Sequence, residues 1–503
     1  MTAEAGAGVL REGGNAVDAA VCAVLTSFVV ESPLTGLGAG GFMLVHTADE
    51  DVLLDFFVEV PGRGGAEFGA ELVPVPVQFD ETPQVFNVGA ASCGVPGTPA
   101  GLADALHRFG SMPMAELIRP AVAHARDGVR INTQQAYLLE ILDPILTRAA
   151  EGQAVYAPDG RILREGETFR FGDLADALER YGAEGPEPFY RGDIAQRIAD
   201  WVTERGGVLG ADDLAAYAPV AREPVQAAFR GREIHTNPPP SAGGILIALC
   251  LDLLERLGSD GVEDVVATMH EANQARTEQF HAGLYDPAFT GFFLAPDRLG
   301  RLAERIRSGV GPGEGRAPGG PLGSTTHITA VDGDGRCAAV TCSNGTGSGL
   351  VVPGTGVHVN NMLGEQDLNP LGFHALPHGR RMPSMMAPTV VLRDGELEVG
   401  LGSGGSNRIR SAILQVILRM IADGMPAQDA VDAGRVHFED GVVHAEPGVD
   451  PDALSRLARR LSVLRWRRRN LFFGGVHAVA RDPDTGELRG GGDPRRGGAV
   501  VVL

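Results

Sequence analysis

The sequence predicts a layered α/β protein, and three observations carry that reading. Short strand-like runs lie towards both ends of the 503-residue chain. Helix-period segments fill most of the stretch from about Pro113 to Arg307. A Gly/Pro-rich linker, "SGVGPGEGRAPGGPLGS" at 308–324, then separates helices from strands. Strands at both ends with helices between them favour sheets that draw on both halves.

In order, "AEAGAGVLREGGNAVDAAVCAVLTSFVV" is helical in period and broken at Gly13-Gly14. "GGFMLVH" and "DVLLDFFVEV" read as successive strands. "AELIRPAVAHARDG", "GDIAQRIADWVTERGG", "ILIALCLDLLERLG" and "VEDVVATMHEANQARTEQFHAGL" read as helices. The linker has no periodicity. Beyond it "HITAV", "CAAVTCS", "TVVLRDGELEVGL", "GVVHAE", "GGVHAVARD" and "GGAVVVL" are predicted strands, interrupted by the helix "SNRIRSAILQVILRMIADG".

Composition excludes several functions. A formal net charge of −21 argues against nucleic-acid binding, because a phosphate backbone would be repelled. All 43 basic residues are Arg, so no lysine exists to form a Schiff base or complete a phosphate-binding P-loop. The five cysteines are scattered without a CxxC pair, which predicts buried thiols in a reducing compartment; Cys342 lies in an apolar strand and reads as buried. The chain opens without a signal peptide, and a cytoplasmic location is expected. The apolar stretch Ala19 to Val30 is too short to span a bilayer, so no membrane partner is expected.

"GLGAGG" at 36–41, with Asp55 further on, satisfies a dinucleotide-binding pattern. Such a site needs a strand before the glycines and a helix after them. Here the order is reversed, which predicts a close-packed turn and no cofactor. His374 and His378 flank Pro377, and His270 and His281 lack ligand spacing, so no metal is expected.

The chemistry gathers around Thr325. Hydroxyls recur on the next strand at Thr341 and Ser343, and "EVGLGSGGSNRIRS" reads as a strand, a glycine-rich turn and a helix start. Backbone N–H groups of Gly404, Gly405 and Ser406 could converge there on a developing oxyanion. A nucleophile, a neighbouring orienter and an anion hole are the parts of amide chemistry, but no His–Asp pair supplies a base. A cut before Thr325 would free an α-amine, with a solution pKa of about 7.7–8.0, to serve as one.

Nearly the whole chain resembles the γ-glutamyltranspeptidase family of N-terminal-nucleophile hydrolases. The likeness rests on "GGNAVDAAV" (13–21), "GLGAGGFMLVH" (36–46), "GVPGTPAGL" (94–102), "PPPSAGG" (238–244), "TTHITAVDGDG" (325–335), "GTGVHVNNML" (354–363), "MPSMMAPTVV" (382–391), "GSGGSNRI" (402–409) and "DPRRGG" (493–498). It implies a four-layer αββα sandwich made as one precursor that cleaves itself between Ser324 and Thr325. Segments 1–324 and 325–503 would then form one αββα unit and stay associated as a heterodimer. Thr325 would attack a small γ-glutamyl or similar acyl amide, and water or an amine acceptor would resolve the acyl-enzyme.

Position by position, the resemblance makes Ser343 the residue that orients the nucleophile and Asn344 a substrate-binding asparagine. Gly405 and Ser406 match the oxyanion donors, with serine in place of the second glycine. Ser384 matches the first of two serines near the substrate carboxylate, and Met385 replaces the second. The acidic residue for the α-amino group falls at Glu365 or Asp367. One departure is pronounced: the family's "DFRE" arginine, which clamps the α-carboxylate, aligns with Phe57 in "DFFVEVPG". Losing that contact removes about 1.5–3 kcal/mol of charged hydrogen bonding. Arg63 is a candidate substitute. The departure raises a second expectation, an N-acyl amidohydrolase of the glutaryl or cephalosporin acylase kind, while a third is an uncleaved relative that only binds. The family also begins with a strand ahead of the "AEAG" helix, so a truncated start, and with it a periplasmic or secreted location, stays open.

Overall fold

A computed structural model describes residues 1–79, 82–309 and 325–503. The segment before the linker supplies strands β1 (Gly40–His46), β2 (Asp51–Phe56), β3 (Val220–Arg222), β4 (Val225–Phe229) and β5 (Arg232–Thr236) to two large sheets. The segment after it supplies β6 (Thr326–Val331), β7 (Cys337–Ser343), β8 (Thr389–Arg393), β9 (Glu396–Gly404), β10 (Gly475–Arg481) and β11 (Leu488–Gly491). The first sheet runs β6-β7-β1-β2-β3 and the second β11-β10-β9-β8-β5-β4, with antiparallel neighbours throughout. Both sheets therefore mix strands from the two segments.

Helices cover the outer faces. α2 (Ala16–Val30) and α3 (Thr98–Phe109) lie against the first sheet, with α1 (Thr2–Arg11) packed on α2, and α4 (Gly243–Leu257) and α5 (Arg408–Ile421) lie against the second. The period-2 alternation of strand side chains separates two cores. Met43 and Val45 of β1, with Ala338, Val340 and Cys342 of β7, pack towards α2. Phe42, Leu44, Cys337 and Ala339 face the second sheet, among Val390, Val399 and Leu401. This is the αββα arrangement.

The "GGNAVDAAV" motif is a helix start. Asn15 Oδ1 accepts from Val17 N (2.8 Å) and Asp18 N (3.1 Å), while Asp18 Oδ2 accepts from Asn15 N (2.9 Å). All of α2 behind this cap is buried. "GLGAGG" is indeed a close-packed turn: a Cβ on Gly38 would lie 2.2 Å from the His358 carbonyl oxygen. Asn360 Nδ2 fastens the turn, donating to Gly38 O (2.8 Å) and Gly94 O (2.9 Å).

"GGAVVVL" differs from expectation. Gly497, in the left-handed region (φ 64°), turns the chain, and residues 497–503 form no strand; the edge strand is β11 instead. The short strands β3 to β5 lie in a stretch where the sequence predicts mainly helices. A cavity of about 580 Å³ opens along the outer edge of β6, beside Met1, Thr2 and Val501; Thr325 does not line it. No helix among the described residues is long and apolar enough to cross a membrane.

"DPRRGG" anchors the second sheet. Asp493 Oδ2 accepts from Arg435 Nη2 (2.7 Å) and from Val476 N of β10 (2.9 Å). Arg495 donates to Asp493 Oδ1 (3.2 Å) and through Nε to Glu446 Oε1 (2.8 Å). All four side chains are essentially inaccessible to solvent. Removing the central carboxylate leaves the buried Arg435 guanidinium without its counter-charge and Arg495 with Glu446 alone. Asp493→Asn is expected to cost about 3–5 kcal/mol, read as a lower denaturant midpoint at unchanged slope.

Candidate active site

Thr325 is placed by the strand it precedes. Thr326 Oγ1 hydrogen-bonds Glu31 at the end of α2, on the helix side of the first sheet. Thr325, His327 and Thr329, at alternate positions, therefore face the second sheet. Thr326 pairs with Cys342, so counting one position back sets Thr325 level with Ser343. Thr325 is buried at 6% exposure.

The second sheet meets this face with glycine. A Cβ on Gly404 would lie 2.5 Å from Thr325 O and 3.2 Å from Thr325 Cβ. One on Gly402 would strike the His327 ring at 2.2 Å, and one on Gly400 would meet Cys337 Sγ at 2.5 Å. His327 spends both ring nitrogens on hydroxyls, Thr341 Oγ1 (2.8 Å) and Thr329 Oγ1 (2.9 Å). Burial, and then the neighbouring His477, hold its pKa well below the usual imidazole range, so it is neutral and acts as a spacer.

From Thr325 the contacts form a ring. Gly404 leads into Gly405 and Ser406, whose carbonyls accept the first turn of α5 from Arg408 N and Ile409 N, both at 3.1 Å. Their own N–H groups precede the helix, where no intrahelical acceptor exists. Ser406 has a left-handed backbone (φ 53°), and its Oγ donates to Asp367 Oδ2. Two residues earlier, Glu365 places Oε1 beside Gly345, where an added Cβ would lie 2.9 Å away. Gly345 N donates to Ser343 Oγ at 2.8 Å, which closes the ring at Thr325. Thr325, Ser343, Asn344, Glu365, Asp367, Gly405 and Ser406 are thus brought together.

Two acceptors in the ring are open. Glu365 Oε1 and Asn344 Oδ1 are buried without a hydrogen-bond partner among the described residues, while Asn344 Nδ2 donates to His358 O (3.3 Å). Burial, reinforced by the nearby Asp367 charge, pushes the Glu365 carboxyl up to about 8. Burial also raises Asp367.

The other expected residues make contacts of their own. Ser384 Oγ accepts from Met386 N (3.1 Å), and its carbonyl accepts from Ala242 N (2.7 Å) and Ser241 Oγ (2.9 Å) of the "PPPSAGG" turn. Phe57 is fully buried and stacked on Phe42, with centroids 5.2 Å apart. Arg63, the candidate substitute, is held by Glu59 Oε2 (2.9 Å) and the Gly379 carbonyl (3.3 Å). Ser324 lies outside the described residues. Cys342 is a buried free thiol, as are the other four cysteines. Among the described residues no group of three or more His, Cys, Asp or Glu side chains could hold a metal ion.

Arg496 went unassigned in the sequence. Its Nη1 donates to the Thr325 carbonyl at 3.5 Å, and its stem lies over Gly475. Burial lowers its pKa to about 10, which leaves it cationic at neutral pH. Its place in the charge-rich "DPRRGG" motif, directly after the buried Arg495, was the available signal.

Two antiparallel sheets packed between helices, with a strand-initial threonine at their seam, define the N-terminal-nucleophile hydrolase fold. The chain belongs to the gamma-glutamyltranspeptidase family, whose model matches residues 2–503. It is 32% identical over 518 residues to the Acylase ACY 1 proenzyme of Pseudomonas sp. (strain SE83), covering 100% of this chain and 92% of that protein. It is also 32% identical over 524 residues to the Glutathione hydrolase proenzyme of Escherichia coli (strain K12), covering 98% and 88%. The solved cephalosporin acylase from Bacillus halodurans superposes with a TM-score of 0.83 at 26% identity, covering 99% of this chain and 94% of that one. Family members are hydrolases and transferases acting on amide bonds.

Glu365 gives a pH test of the ring. With its pKa raised from 4.5 to about 8, the folded state binds this proton more tightly than the unfolded chain does. The associated stability is complete below the unfolded value and is lost as pH rises through about 8. Glu365→Gln removes that loss. Its Tm is expected to exceed that of wild type by roughly 3–6 °C at pH 9, with the gap closing at pH 4.5, by scanning calorimetry.

Proposed function

We propose that this chain is a self-cleaving threonine amidohydrolase or acyltransferase acting on γ-glutamyl or closely similar acyl amides. The observation that carries the reading is the ring that closes on Thr325, with Ser343 level with it and the Gly404–Ser406 turn against it. In maturation Thr325 Oγ would attack the Ser324 carbonyl and break the peptide C–N bond, leaving an ester. That step frees the Thr325 α-amine, and water then hydrolyses the ester to release the Ser324 carboxyl and the Thr325 hydroxyl.

In turnover Thr325 Oγ attacks the substrate amide while that α-amine takes the hydroxyl proton. Gly405 and Ser406 N–H receive the oxyanion. The amine returns the proton to the leaving nitrogen, and water or an acceptor amine resolves the acyl ester. The reaction needs no further group for proton transfer, so no cofactor enters it. Glu365 Oε1 and Asn344 Oδ1, both open, suit the α-ammonium of a γ-glutamyl donor, whose charge would favour ionised Glu365.

Phe57 favours a second reading. A fully buried phenyl ring offers the α-carboxylate of a γ-glutamyl donor no counter-charge, which weakens the case for that donor and leaves room for a different acyl arm. The relatives named as acylases support this reading as the glutathione hydrolases support the first.

Two measurements test these proposals. Denaturing electrophoresis of the purified protein is expected to show fragments 1–324 and 325–503, and a single chain for Thr325→Ala. An intact wild type that still hydrolyses amides sinks the mechanism. Rates on matched γ-glutamyl and glutaryl anilides then choose the acyl group: an advantage of about tenfold or more for γ-glutamyl, ~1.4 kcal/mol, is expected. The reverse order supports the acylase reading.

A further inference from the structure

Serine is an unusual choice at position 406. The backbone there is left-handed, a conformation in which a side chain is strained and glycine is not. A strained residue keeps such a conformation only where its surroundings hold it, and the hydroxyl shows what does so. Ser406 Oγ donates to Asp367 Oδ2 from the loop that also carries Glu365. The next residue is gripped from the other side: Asn407 Oδ1 accepts from Arg276 Nη1 (3.1 Å), and its Nδ2 donates to Glu439 Oε1 (3.2 Å).

We infer that Asp367 is a positioning residue, whose carboxylate holds Ser406 in its left-handed backbone and so aims the Gly405 and Ser406 N–H groups at the carbonyl attacked by Thr325. The inference rests on the amide-cleaving reading above and divides the two acidic candidates between different tasks. Glu365, with its open oxygen, meets the substrate; Asp367, already engaged, meets the turn. The groups facing Asp367 are Glu365 and Glu439, which oppose its ionisation, and Arg276 and Arg408, which favour it. The two cations work against the burial that raises its pKa.

The test is a double-mutant cycle on mature enzyme with the anilide it prefers. Asp367→Ala is expected to lower kcat by about ten- to a hundredfold with KM changed less than about threefold, since an oxyanion donor acts chiefly in the transition state. Glycine adopts the left-handed backbone unaided. Whatever rate Ser406→Gly itself shows, adding Asp367→Ala to it is therefore expected to change kcat by less than about threefold. An equal loss in both backgrounds overturns the proposal, because Asp367 would then act other than through Ser406. An unchanged kcat for Asp367→Ala in the native background overturns it too. Thermal melts of all four proteins show whether a lost rate is a lost fold: the expected kcat loss persists well below each midpoint. A wild type without Thr325-dependent cleavage overturns the underlying reading and this proposal with it, whereas an active wild type with a failed cycle overturns the proposal alone.

Discussion

Along β9, the missing side chains of Gly400, Gly402 and Gly404 set how closely the two sheets can approach, and the candidate site depends on that distance. These positions alternate on the face turned towards β6 and β7. Each is filled by a group from the opposite sheet: Cys337 and Thr329 at Gly400, the His327 ring at Gly402, and Thr325 itself at Gly404. Sheets packed through ordinary side chains stand about 10 Å apart. A methyl group on any of these glycines would overlap backbone, a ring or a buried thiol, and Thr325 would be carried away from the turn that faces it. The glycines are costly in an unfolded chain, which loses more entropy on ordering them. Close approach of the sheets offsets that cost by burying β6 against β9.

Two buried charge clusters hold the ends of this arrangement. Asp493, with Arg435, Arg495 and Glu446, fixes the chain that carries Arg496 to the Thr325 carbonyl. Near the end of β2, Asp55 accepts from Arg222 Nε (2.8 Å) and Phe57 N (3.0 Å) and lies near Arg381, which also approaches Glu59. Buried ion pairs contribute little net stability when compared with well-packed apolar residues, because desolvation cancels much of their attraction. Their geometry is directional, however. Here they tie loops to strand ends, where apolar packing alone would let the chain slide.

Helices with strong caps and strands with continuous apolar runs were legible in the sequence. Asn15 and Asp18 announce α2, and "GGFMLVH" announces a strand buried on both faces. The short strands β3 to β5 were not, since "VAR", "VQAAF" and "REIHT" mix polar with apolar residues and become strands through pairing with β2 and β8. "GGAVVVL" misled in the opposite sense: its β-branched residues suit a strand, but the Gly497 turn takes them away from an edge. At the site, the Gly404–Ser406 turn was readable as a strand–glycine–helix sequence. The spacing of Gly400, Gly402 and Gly404 was visible too, yet its meaning required knowing which residues oppose it. The contact between Asp367 and Ser406 joins positions distant in the chain, and periodicity carries no trace of it.

The same topology explains how a backbone break ahead of Thr325 could leave the fold intact. β1 lies between β2 and β7, so its ladder from Gly40↔Ser343 to His46↔Cys337 joins the two segments along the full strand. β5 likewise lies between β4 and β8, with Thr236↔Thr389 through Glu233↔Leu392 joining them again. Parting the segments would expose both ladders and the apolar faces that line the space between the sheets, a loss far larger than any entropy released by a cut loop. Cleavage would change the chemistry of one residue while leaving its neighbours where they are. The α-amine would arise already buried beside its own hydroxyl, so the base need not be brought to the nucleophile by a second side chain. That is why a site without a His–Asp pair can still be complete.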